Sequence, residues 1–151
     1  MEERYIGIYS RFGMFHKRGL RRMADQIELQ KIHHCLRIIE NIKKQIGDEE
    51  AVCYVEKAMD LTRKWLNDKT DVSQKLYDLL DDEECSLTLY QESEKDECVI
   101  EVWNCIIDAV AYICRKIYEE QGADYFPEPI ELVDEDTYSR LLAGYEKCMK
   151  Q

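Results

Sequence analysis

EKDECVIEVWNCIIDAVAYICRKIYEEQ, residues 94–121, is the stretch on which the fold turns. Val99, Trp103, Ile106, Val110, Ile113 and Ile117 recur at steps of 4, 3, 4, 3 and 4. That is the 3.6-residue period of a helix, not the two-residue period of a strand. Ile100, Ile107 and Cys114 widen the stripe. A helix with so broad an apolar arc needs neighbours on several sides. The spacing predicts a long central apolar helix over about residues 94–121, stopped by Gly122. It is no membrane span, because Glu101 and Asp108 cut the apolar run 99–114, which is also too short.

Working outward, the flanking segments carry the same period. Ile32, Cys35, Ile39, Ile42 and Ile46 form one stripe that Gly47 should end. Leu20, Ala24 and Ile27 form another whose phase does not join it, which predicts a kink or break near 28–31. Asp48 is placed to cap a helix carrying Val52, Val55, Met59, Thr62 and Leu66, with Trp65 beside the stripe. Leu76, Tyr77, Leu79 and Leu80 cluster on a shorter helix after DVS. Downstream, YFPEPIELV (125–133) should be extended, since each proline disfavours helix in the residue before it. Asp134 should open a last helix with Tyr138, Leu141, Leu142, Tyr145 and Met149 facing in. With two prolines and six glycines in 151 residues, the reading is all-α: a single compact multi-helix domain, residues 1–151.

Composition narrows the function. The net charge is −11, and residues 47–151 hold twenty-seven acidic against eleven basic side chains. An acidic body argues against nucleic acid as partner and for a basic protein, the alternative being simple solubility. HKRGLRR (16–22), the one positive cluster, lacks the aromatic interleaving of a nucleic-acid surface. Seven cysteines, an odd number with no CxxC pair and no secretory leader, read as reduced thiols of a cytosolic protein.

Catalytic and metal patterns do not emerge. His33 and His34 are adjacent and diverge on a helix; HExxH, GxSxG and phosphate-loop patterns are missing. Asp108, with Tyr112 and Arg115 one and two turns on, reads as a structural carboxylate bonded to a tyrosine or arginine. No catalytic residue, metal ligand or cofactor is assigned.

The distinctive segment is DLLDDEECSLTLYQESEKDE, residues 78–97. Nine of its twenty residues are acidic: Asp78, Asp81, Asp82, Glu83, Glu84, Glu92, Glu94, Asp96 and Glu97. They flank SLTLY (86–90), so Leu87, Leu89 and Tyr90 read as an apolar anchor within a carboxylate rim, the composition of a binding hot spot. The competing reading tucks Leu87 and Leu89 into the core and leaves the acids on a solvated loop.

DVSQKLYDLLDDEE (71–84) with EVWNCIIDAVAYICRKIYEEQGADYFPEPIELV (101–133) resembles the immunity protein six family of bacterial polymorphic toxin systems. The likeness lies in the Trp65 helix, Leu76-Tyr77 before an acidic turn, Trp103 opening the apolar helix, and the YFPEPIELV exit; it covers about residues 32–150, with 1–31 less typical. The resemblance implies an all-α, non-enzymatic immunity protein that neutralises a cognate toxin domain. With the charge pattern, it suggests a basic toxin, such as a nuclease, met through residues 78–97; no membrane or nucleic acid is involved, and oligomeric state stays open. The alternatives are an acidic interaction module or nuclease inhibitor without toxin linkage, and a helical enzyme or small-molecule binder near Asp108.

Overall fold

The computed structural model describes residues 10–151, with side chains from Asp25 onward. The described residues are helical, without strands. The helices are α1 (Ser10–Ile42), α2 (Glu49–Asp68), α3 (Ser73–Asp81), α4 (Leu87–Ser93), α5 (Glu97–Glu120) and α6 (Glu135–Met149). Short 3-10 turns at Lys43–Gln45 and Ile130–Leu132 link α1 to α2 and α5 to α6. Internal contacts divide the chain into Met1–His34 and Cys35–Gln151. The second unit carries α2 to α6 and the C-terminal end of α1.

α5 follows the predicted helical period. Trp103, Ile106, Val110, Ile113 and Ile117 are buried, and so are Val102, Ala109 and Tyr112. Asp96 starts the helix by accepting from the Cys98 and Val99 N–H groups at 2.9 and 3.4 Å. Gly122, at φ 72°, turns the chain away after it. Around α5 pack α6 most closely, then α3 and α4. The Cys105 thiol donates to the Leu141 carbonyl at 3.3 Å and Cys114 to the Ser73 carbonyl at 3.5 Å. Each large side chain buried here contributes roughly 1.5–3 kcal/mol.

Side-chain bonds to backbone N–H groups mark the other starts, as caps for α2 and α6 and one residue ahead of the cap for α3. Asp48 accepts from Glu50 and Ala51 N–H, Asp71 from Ser73 N–H, and Asp134 with Thr137 forms a reciprocal capping box. α2 stops at Lys69, which takes the left-handed conformation (φ 59°) and sets its ammonium 3.9 Å from the centre of the Trp65 ring.

Five expectations need correction. α1 runs through 28–31 unbroken; the misphased Ile27 is 49% exposed, so no kink is needed to bury it. Leu20, Ala24 and the basic cluster 16–22 lie outside the described side chains. α1 ends at Ile42 and a 3-10 turn carries the chain to extended Ile46, before Gly47 is reached. Segment 125–133 is not extended throughout: Ile130–Leu132 make a turn that buries Ile130. Met149 faces outward, 52% exposed, and Cys148 takes the inward position. The apolar helix itself begins at Glu97 and not at 94, because Glu94 is extended and Asp96 caps the helix.

Candidate functional site

α3 builds one wall of the site. Leu76 and Leu80, one turn apart, are buried, and this turns Asp78 and Asp81 to solvent with Tyr77 and Leu79 half-buried. The acidic turn that follows is ordered by its own side chain. Asp82 accepts from the Glu84 and Cys85 N–H groups at 2.8 and 3.3 Å, leaving Glu83 and Glu84 exposed.

Between α2 and α3 lies an open groove of about 650 Å³. Its apolar lining is Tyr54, Leu61 and Leu79, and the acidic turn closes one end through Asp82, Glu84 and Cys85. Lys57 and Lys64 from α2 and Lys75 from α3 stand among Asp60 and Asp78, so the rim carries both signs. Tyr54, Lys57, Leu61 and Lys64 follow steps of 3, 4 and 3 and so share one face of α2. The sequence reading passed over that stripe because two of its members are lysines.

The nine carboxylates do not form one surface. Asp78, Asp82 and Glu84 line the groove. The Tyr77 hydroxyl donates its one proton to the Glu128 carbonyl at 2.8 Å, and Asp81 lies 3.3 Å from the same oxygen, on that side of α3. Glu83 and Glu92 are simply exposed. Glu94, Asp96 and Glu97 gather at the start of α5, where Glu94 accepts from the Lys95 and Asp96 N–H groups at 3.1 and 3.2 Å. Negative charge there complements the unpaired N–H groups of a helix start. Part of the acidic run therefore serves local structure.

The expected apolar anchor turns inward. Ser86 caps α4, and Leu87 is fully buried, so it cannot touch a partner while α4 is folded. Tyr90 is half-buried: its ring stacks on Trp103 at 6.0 Å and 7°, and meets Tyr54 edge-on at 5.6 Å. Its hydroxyl donates to Glu50 Oε1 at 3.0 Å and lies 3.7 Å from Cys85 Sγ. Burial, then these bonds, hold the phenol above its ordinary ionisation range. Leu89 alone of the three keeps partial exposure without such ties. An amphipathic helix explains the difference: position 87 points to the core and the acids flank it.

Asp108, Tyr112 and Arg115 do not converge on a pocket. Asp108 takes a bidentate bond from Arg140 at 2.9 and 3.0 Å, beside a recess of about 300 Å³. Tyr112 and Arg115 border another, of about 210 Å³, where Tyr112 donates to Glu135 at 3.2 Å. The arginine partner expected for Asp108 exists, but it comes from α6. Among the described residues no three His, Cys, Asp or Glu side chains are grouped to hold a metal ion. No described helix is long and apolar enough to cross a membrane.

Neither a curated protein nor a solved structure matches the chain significantly. A family model does: residues 30–148 match the one described as Immunity protein Imm6. The match takes in α2 to α5, the acidic turn and nearly all of α6. Over that extent it is decisive, and the chain belongs to the immunity protein Imm6 family.

Proposed function

We propose that this protein binds and neutralises a cognate bacterial toxin domain, acting by occupation and not by catalysis, without a cofactor. The surface used is α3, the turn after it and the groove they share with α2. The observation that carries this reading is the exposure of Asp78, Asp81, Asp82, Glu83 and Glu84 on α3 and its turn, three of them (Asp78, Asp82 and Glu84) lining a groove of about 650 Å³ with Tyr54, Leu61 and Leu79. The exposed carboxylates of α3 and its turn fit a basic partner, for which complementary fields raise the association rate, while the groove, whose rim carries both signs, accepts its side chains. A nuclease meets that description, because its substrate cleft must be positive to hold phosphate. The cytoplasm, where a nuclease toxin would act, is the compartment proposed, and residues 1–151 are proposed to fold as one domain.

The test is co-expression with the toxin domain encoded beside this gene, read as growth rescue and co-purification. Reversing Asp78, Asp81, Glu83 and Glu84 to lysine, with Asp82 kept for its turn, should slow association about tenfold or more at low salt and flatten its salt dependence. Glu146→Lys, on the exposed side of α6, should change little. Full rescue and unaltered association by the folded charge-reversed protein would remove this surface from the reading.

A further inference from the structure

The loop between α5 and α6 carries the apolar surface that the acidic run lacks. Of the large apolar side chains among the described residues, Tyr125 and Leu132 are the most exposed, at 76% and 77%. Single exposed apolar residues are ordinary on any protein. Here two stand on one eight-residue loop whose backbone is held from several sides.

Ile130 is buried completely and pins the centre of the loop. Arg115 reaches from α5 to donate to the Ile130 and Glu131 carbonyls at 3.3 and 3.1 Å, with its guanidinium 3.8 Å from the centre of the Phe126 ring. Phe126 in turn meets Tyr118 edge-on at 6.1 Å. Tyr77 of α3 bonds the Glu128 carbonyl. Turn bonds from Glu131 to Pro127 and from Leu132 to Pro129, 3.0 and 3.1 Å long, complete the frame. A loop so held presents Tyr125 and Leu132 with little ordering entropy left to lose on binding.

The exposed charges of the loop itself are acidic. Asp124, Glu128 and Glu131 are exposed on the loop, and Asp81 lies beside it through the shared Tyr77 hydroxyl. Burial, then the neighbouring Asp81, raise the Tyr77 phenol above its ordinary range. Two cations stand nearby on α5: Arg115 is engaged by Glu119 at 3.0 Å and by the carbonyls, and Lys116 by Glu119 at 3.4 Å and Glu135 at 3.5 Å.

We infer that residues 125–132 form the apolar anchor of the toxin-facing surface, Tyr125 and Leu132 entering recesses in a basic toxin domain whose cations meet Asp81, Asp124, Glu128 and Glu131. This rests on the toxin-binding reading above and assigns the anchor within it. Tyrosine is among the side chains in which binding energy concentrates, and a polar rim around such a centre is the usual arrangement. The α3 carboxylates govern encounter, and the loop governs residence.

The experiment measures association and dissociation of the full chain with the toxin domain encoded beside its gene, for wild type, Tyr125→Ala, Leu132→Ala and Glu146→Ala. At least one loop variant should dissociate about 30-fold faster, with its association rate and melting temperature unchanged. Tyr125→Ser and Leu132→Gln repeat the measurement if an alanine variant melts early. Wild-type dissociation from both loop variants, with charge-reversed α3 still slowing association, overturns the inference and leaves toxin binding standing. Failure of the wild-type chain to bind that domain overturns both.

Discussion

Two segments of this protein set leucine and tyrosine among carboxylates, and the fold treats them oppositely. In Leu87–Tyr90, the leucine at 87 is buried and Tyr90 is held between Trp103, Tyr54 and Glu50. In Tyr125–Leu132, the tyrosine and leucine at the ends are more than three-quarters exposed, while Ile130 between them is buried. The first segment is a short helix whose apolar side must face inward to be stable in water. The second is a loop tied down by Arg115 and Tyr77, so it does not need its end residues for packing. Apolar residues amid charge thus mark a binding surface only where other contacts already secure the backbone.

The largest effects should come from the inward-facing segment. Trp103→Ala, removing the side chain on which Tyr90 stacks, should cost about 3–5 kcal/mol, and Leu87→Ala about 2–5 kcal/mol, in urea unfolding. Leu132→Ala should stay within about 0.5 kcal/mol of wild type. If Leu132→Ala proved as costly as Leu87→Ala, the contrast would be gone. A smaller change sharpens it. Tyr90→Phe keeps the stacked ring but loses the hydroxyl bonded to Glu50, and should cost about 0.5–1.5 kcal/mol. An unchanged unfolding midpoint would make the ring contacts alone responsible for holding Tyr90.

The smallest effect concerns thiols, and it separates core from surface. Burial pushes Cys35, Cys105 and Cys114 up to about 12, and raises Cys148. Exposed Cys53 and Cys98 should therefore react with a thiol reagent in the native protein near neutral pH, while those four wait for unfolding. Seven groups should titrate in denaturant, since all seven cysteines are free. The buried thiols have folded values above the ordinary 9, so they favour the folded state below that pH. Their contribution is lost as the pH climbs from there towards about 12. Rapid native modification of Cys105 and Cys148 would mean that the α5–α6 packing opens readily.

Regular patterns in the sequence were enough for the helical core. The Val99-to-Ile117 stripe, Asp48 and Asp134 as caps, and Gly122 as a stop each act through neighbours within one or two turns, so the chain states them locally. The family likeness was legible too, resting on core aromatics and turn residues such as Trp103 and the YFPEPIELV exit. Long-range packing decided the rest. Whether Leu87 or Leu132 faces water depends on α4 resting against α5 and on Arg115 reaching a carbonyl fifteen residues away. The groove needs α2 and α3 side by side, which no period announces, since its face of α2 mixes Tyr54 and Leu61 with Lys57 and Lys64. Local sequence specifies where helices start, stop and turn their greasy side; exposure of a single side chain is a property of what packs over it.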